Sequence, residues 1–237
     1  MSIAAGRTSD PALRSLLEDH WDGLMWRAPT WATALGDHRY DDRLPDASLA
    51  VAEEWRNAER ELLGRLGRIP NLPEADQLTA DLLTFELSGD LRLGDCAFET
   101  WDFSARDNPL TRLADIAEHH PTATPADLDN LATRYRAAPA WIDQQTANLR
   151  VGLGSGRAVS APTVRLALDQ LDAYLAVQDA EWPLAATLRE ADRPLLAPIR
   201  AALVRWRAFL ADELLPGARP ADREGLWALP GGAACYA

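Results

Sequence analysis

Ser48-Leu49-Ala50-Val51-Ala52-Glu53-Glu54-Trp55-Arg56-Asn57-Ala58-Glu59-Arg60-Glu61-Leu62-Leu63-Gly64-Arg65-Leu66-Gly67-Arg68-Ile69 sets the fold class. Val51, Trp55, Ala58, Leu62, Leu66 and Ile69 recur at steps of three and four, the period of a helix with one buried face. Glu61 and Arg65 stand four apart, the spacing of a surface ion pair on that helix.

The same period recurs on both sides. Ser9-Asp10-Pro11 opens a helix with a cap residue and a proline where its missing N–H costs nothing. Its face is Leu13, Leu16, Leu17, His20, Trp21 and Leu24, and Pro29 ends it. Pro73 opens a third helix through Leu78, Leu82, Phe85 and Leu87 to about Gly94. The stretch 95–120 is irregular, with short helices around a loop. Thr124-Pro125-Ala126-Asp127 is another helix start, Pro139 is expected to begin a new helix, and Gly152–Gly156 to end it. Ser160-Ala161-Pro162 starts a helix through Leu166, Leu168, Leu171, Tyr174 and Leu175, broken by Pro183. The last covers about Pro194 to Leu215, with Leu196, Ile199, Leu203, Trp206, Leu210 and Leu214 on its face. No stretch alternates as a strand does, apart from a hairpin that would fit around Trp101 or Trp227. The expectation is an all-α, bundle-like single domain over residues 1–237.

Composition narrows function. With 47% apolar and 25% charged residues the chain has a soluble globular make-up. A net charge of −12 argues against nucleic acid and anionic membrane surfaces as partners. No apolar run approaches the roughly 18 residues of a membrane span. The N-terminus lacks the apolar stretch of a signal peptide, and Cys96 and Cys235 are too few for a disulfide framework. The expectation is therefore a reducing cytoplasm. All 24 basic residues are Arg, as a GC-rich genome would favour. Without Lys there is no Walker loop, pyridoxal Schiff base or lysine nucleophile.

Asp37-His38-Arg39-Tyr40-Asp41-Asp42-Arg43 is the densest polar stretch. Asp37, His38, Arg39, Tyr40 and Arg43 are candidates to line a cleft, with an Arg taking a substrate carboxylate bidentately. The competing and favoured reading is that these groups tie a loop to helix ends. Glu86 and Asp90, with Asp81 nearby, are read as a solvated acidic face rather than an ion site. His119-His120 reads as a helix end, because neighbouring imidazoles diverge on a helix and no His-Glu-x-x-His is present. Gly152-Leu153-Gly154-Ser155-Gly156 fits neither a dinucleotide loop nor a nucleophile elbow, and reads as a helix C-terminus. Trp21, Trp55, Trp141 and Trp206 are expected in the core, while Trp101 and Trp227 are candidates for a cleft wall.

Leu35–Asp46 closely resembles a signature near the N-terminus of a large bacterial family, the domain of unknown function 885. Further stretches are similar to that family in the same order. They are Asn108-Pro109-Leu110 with His120-Pro121 and Thr124, Arg134 to Gln145, Leu149 to Leu171, and Leu229-Pro230-Gly231-Gly232-Ala233-Ala234-Cys235-Tyr236. Members resemble zinc-dependent hydrolases of the thermolysin-like type, with the metal site in their second half. The resemblance spans nearly all of this chain but only the front part of a typical member. Where members carry an acidic residue and a Tyr pair after the Leu-Pro-x-Gly element, this chain has Ala233 and Cys235-Tyr236, which adds Tyr236 to the candidate residues.

The resemblance thus implies a substrate-cleft or scaffold half of a metallohydrolase-like protein. It would be a split subunit or a degenerate binding homologue, with no cofactor of its own and zinc only where a partner chain supplies the ligands. Expected partners are that zinc-bearing half or a second copy, and a small-molecule or peptide ligand. A rival expectation is a stand-alone metal-independent enzyme using carboxylates or His38 as acid and base. Another is a structural interaction module, which an exposed apolar patch at the C-terminal end would favour along with the split subunit.

Overall fold

The computed structural model describes residues 3–235, and it is all-α. The helices are α1 (Ile3–Arg7), α2 (Pro11–Arg27), α3 (Pro29–Ala34), α4 (Leu49–Leu66), α5 (Glu74–Gly94), α6 (Pro109–His119), α7 (Pro125–Gly154), α8 (Ala161–Ala176), α9 (Pro183–Thr187), α10 (Leu196–Phe209) and α11 (Leu215–Gly217). Helix α10 passes into α11 through a π-helical turn, Leu210–Leu214. Among the described residues β-pairing is limited to one isolated parallel bridge, Ser160 with Arg219. The stretches around Trp101 and Trp227 form no hairpin: 3-10 turns, Phe98–Thr100 and Leu226–Ala228, occupy them. No helix among the described residues is long and apolar enough to cross a membrane.

Local chemistry sets the helix starts. The Asp10 carboxylate accepts from the N–H groups of Ala12 and Leu13, both at 2.9 Å. Asn108 and Thr111 close a capping box on α6, and Thr124 and Asp127 do so on α7. Asp76 reaches from the first turn of α5 to the chain entering α2, accepting from Ser9 Oγ at 2.7 Å and Asp10 N at 2.8 Å.

Two apolar cores result. The larger runs through α6 to α10 with α7 at its centre, and includes Leu131, Tyr135, Ile142, Leu171, Trp182, Leu203 and Trp206. The smaller joins α1, α2, α4 and α5 through Leu13, Leu16, Leu62, Leu66, Ala80, Leu83 and Leu87.

Several expectations are corrected. Pro139 does not begin a helix but lies inside α7. An interior proline costs about 3 kcal/mol, and the burial of Tyr135, Ala138, Trp141 and Ile142 around it offsets that. Pro29 both stops α2 and opens α3. On α5 the packed face is Ala80, Leu83 and Leu87, whereas Leu78, Leu82 and Phe85 point outward. Arg65 pairs not with Glu61 but with Asp19 of α2, at 2.6 Å. Trp141 and Trp206 are core, but Trp21 and Trp55 are half-buried, and Trp182 is a fully buried indole the pattern did not mark. Cys96 and Cys235, read only as too few for a framework, are joined in a disulfide with their Cα atoms 5.7 Å apart.

Candidate functional site

Helix α3, the loop after it and α6–α7 enclose two adjoining cavities of about 510 and 410 Å³. They share Thr30, Trp31 and Arg112, so they form one cleft divided by these side chains. Thr33 and Ala34 of α3, Asp115 and His119 of α6, and Arg106 line the first. Asp46, Ser48, Glu99, Asp102, Gln145 and Asn148 line the second.

Arg134 organises the cleft floor. It projects from α7 and is 1% exposed. Its Nε donates to the Arg43 carbonyl at 2.8 Å, and one terminal nitrogen, Nη2, to the carbonyls of Pro29 and Tyr40 at 3.0 Å. It also donates to Thr33 Oγ1 at 2.7 Å and to His120 Nδ1 at 2.9 Å. One guanidinium therefore ties α3, the loop 40–43 and the end of α6 to α7. Burial lowers its pKa to about 10, so it stays cationic at neutral pH.

Because a guanidinium only donates, His120 Nδ1 is the unprotonated nitrogen, and Nε2–H donates to the Asp127 carbonyl at 2.9 Å. Both nitrogens are engaged, and the ring is neutral. Burial lowers the His120 pKa most, opposed by the Asp127 carbonyl, and Arg134 lowers it further. His120 is therefore a spacer rather than a base. Thr33 relays the network outward: it accepts from Arg134 and approaches Asp41 Oδ1 at 2.6 Å. Asp41, 3% exposed, faces His38 Nδ1 with its other oxygen at 2.9 Å. The geometry holds His38 as an oriented imidazole with Nε2 turned away from its carboxylate.

The rest of the Asp-Arg loop serves itself. Gly36, at φ +83°, reverses the chain after α3. Asp37 caps the 3-10 turn His38–Tyr40 and takes both Nε and a terminal nitrogen of Arg39, at 2.9 and 2.6 Å. That pairing holds the Asp37 pKa below the usual carboxylate range. Arg39 also reaches Asp22 at 2.9 Å and lies over Tyr40, while Arg43 lies over Trp26. Asp37, His38, Arg39, Tyr40 and Arg43 are thus brought together, but outside the lining of both cavities. Trp101 donates its indole N–H to the Cys96 carbonyl at 2.9 Å, and Trp227 is exposed near Arg223. Tyr236 lies outside the described residues.

The cleft residues the sequence reading passed over are Trp31, Arg112 and Arg134. The signal for Arg134 was present: it shares the helix face of Leu131, Tyr135 and Ala138, where an arginine is out of place. Arg112 pairs with Asp107 at 2.9 Å, which raises its pKa and lowers that of Asp107. Asp102 nearby is shifted up, chiefly by burial and then by Asp107.

Among the described residues no three His, Cys, Asp or Glu side chains converge as metal ligands would. The imidazoles stand in separate settings: His20 against Trp55, His38 on Asp41, His119 on the Asp115 carbonyl, and His120 saturated. This set does not fit a zinc ion.

The chain belongs to the family described as "Bacterial protein of unknown function (DUF885)", which matches residues 29–237. Among solved structures it is similar to one titled "The crystal structure of the putative lipoprotein from Colwellia psychrerythraea", at TM-score 0.74 and 15% identity. The likeness covers 94% of this chain and 44% of that one, so this chain spans less than half the length of that relative. No curated protein matches significantly.

Proposed function

We propose that this chain is the cleft-forming half of a metallohydrolase-like protein, and that zinc ligands and water-activating groups come from a second half on another polypeptide. One observation carries the reading: a cleft of two adjoining cavities whose wall is fixed by a buried arginine, with no convergent set of metal-ligating side chains among the described residues. Such a site binds and positions, and leaves the chemistry to other groups.

The test is reconstitution. The purified chain is mixed with a zinc-bearing family polypeptide encoded beside it, and hydrolysis of a peptide library is followed with and without chelator. Zinc-dependent turnover by the mixture alone supports the proposal. Turnover by the isolated chain overturns it.

A second reading has one observation in its favour, the imidazole of His38 oriented by buried Asp41. In a stand-alone enzyme His38 would act as acid or base. Activity of the isolated chain lost in His38→Gln but kept in Arg39→Gln would favour it.

A further inference from the structure

Three carboxylates stand on the wall of the second cavity, and they are not alike. Glu99 is paired with Arg56. Asp46 accepts from Ser48 N at 2.8 Å and Gln144 Nε2 at 3.0 Å, and these bonds hold its pKa below the ordinary range. Asp102 has no ion pair among the described residues and no hydrogen bond that favours its charged form. Its pKa is raised by partial burial and by Asp107, against a smaller pull from Arg112. Among the acids displaced from their ordinary range, Glu59 alone shares that upward direction, and it lines neither cavity of the cleft.

The cations of the same wall are engaged elsewhere. Arg112 is held on Asp107 through Nε and Nη2, at 2.5 and 2.9 Å. Arg27 lies over the Trp55 ring, 5.5 Å from its centre. Asp102 is thus a carboxylate in want of a positive charge.

A second acceptor stands on that wall. Asn148, on α7 and 6% exposed, gives its amide N–H to the Ala47 carbonyl at 2.6 Å. A carbonyl only accepts, so this contact fixes which way the amide is turned, and it leaves Oδ1 without a donor. Trp31, 46% exposed and common to both cavities, adds an aromatic face. A charge to neutralise, a fixed amide oxygen and an indole face are together what an ammonium group uses. An anion would meet the same oxygens with its own.

We infer that the second cavity binds an organic primary ammonium group, such as the free amino end of a short peptide, with Asp102 and Asn148 Oδ1 as its acceptors and Trp31 beside it. The inference rests on the cleft being the binding part of the hydrolase-like protein, and deepens that reading by naming the group bound.

The test is isothermal titration calorimetry on the full chain at about pH 7, where an α-amine is mostly protonated. The probes are the tripeptide Leu-Ala-Ala, its N-acetyl form and n-butylamine. A free amine should bind, and N-acetylation should weaken the tripeptide at least about tenfold. A tripeptide at least about tenfold tighter than butylamine assigns the site to a peptide terminus, and the reverse order to a small amine. Asp102→Asn keeps the shape and removes the charge, and should leave free and acetylated tripeptide alike, while Asp102→Glu should restore part of the preference. Circular dichroism checks that both variants keep the fold. Binding of neither amine, indifference to N-acetylation, or an Asp102→Asn chain that still prefers the free amine would overturn the inference. Because the chain alone is titrated, failed reconstitution of hydrolysis leaves this inference standing. Reconstituted hydrolysis that ignores N-acetylation would remove it and keep the proposed function.

Discussion

Arg134 shows how much one side chain can hold. Its donors engage three backbone carbonyls, a hydroxyl and an imidazole, and Asp41 lies 3.9 Å away. Arg134→Met keeps length and apolar volume but strands the Thr33–Asp41 pair and His120 Nδ1 without their donor. The expected cost is about 3–5 kcal/mol, the usual penalty for breaking a buried charged network. In a chain of this size the melting temperature should fall by on the order of 10 °C. Retention of the wild-type melting temperature would show that the network contributes little.

His120 adds a pH dependence whose sign follows from its neutral form. The folded state holds its pKa below the ordinary value of about 6.5, mainly through burial. As pH falls below about 6.5 the unfolded chain takes up a proton that the folded chain refuses. This stability is complete above that pH and is lost as pH falls toward the folded value. Buried His20 shifts the same way, through burial, against the pull of Glu86 and Asp90. Denaturant melts between about pH 5 and 7 should show stability rising with pH. His120→Gln, whose amide can accept from Arg134 and donate to Asp127, should flatten the slope. An unaltered slope would assign the effect elsewhere.

Among the elements, period and punctuation were legible where burial is one-sided. Residues 48–69 read as a helix and form α4, and α2 and α7 start at the cap residues the sequence marks, whereas α6, capped by Asn108, lies in a stretch that read as irregular. Pro139 misled because a local rule was outweighed by packing on both sides of it. The orientation of α5 misled because a helix with two apolar stripes does not say which one faces in. The closure of residues 97–101 against α7 was also unreadable: a Cβ on Gly152 would come within 2.0 Å of the Thr100 carbonyl oxygen, yet the glycine alone looks like any helix end.

The Cys96–Cys235 bond is the other long-range constraint at this scale. It ties the segment after α5 to the C-terminal segment across 139 residues. Closing so long a loop restricts the unfolded chain, and a native bond of this kind is worth about 2–5 kcal/mol. Thermal unfolding with and without a phosphine reductant should differ accordingly, and Cys96→Ser should reproduce the reduced curve. Coincident melts would mean that the bond does not form in solution. Such bonds persist in oxidising compartments.

For the molecule as a whole, the helical class follows from the sequence, but the division of its interior does not, because it depends on which stripes meet. The larger core gathers 26 buried apolar residues and the smaller 9 among the described residues. The smaller is fastened by polar contacts at its edge: Asp76 on Ser9 and Asp10, and Asp19 with Arg65. Fewer buried contacts mean a lower free energy of local opening. Native-state hydrogen exchange should therefore find the amides of α4 and α5 opening before those of α7 and α10. Uniform protection across all four helices in the free chain would mean the two cores open as one.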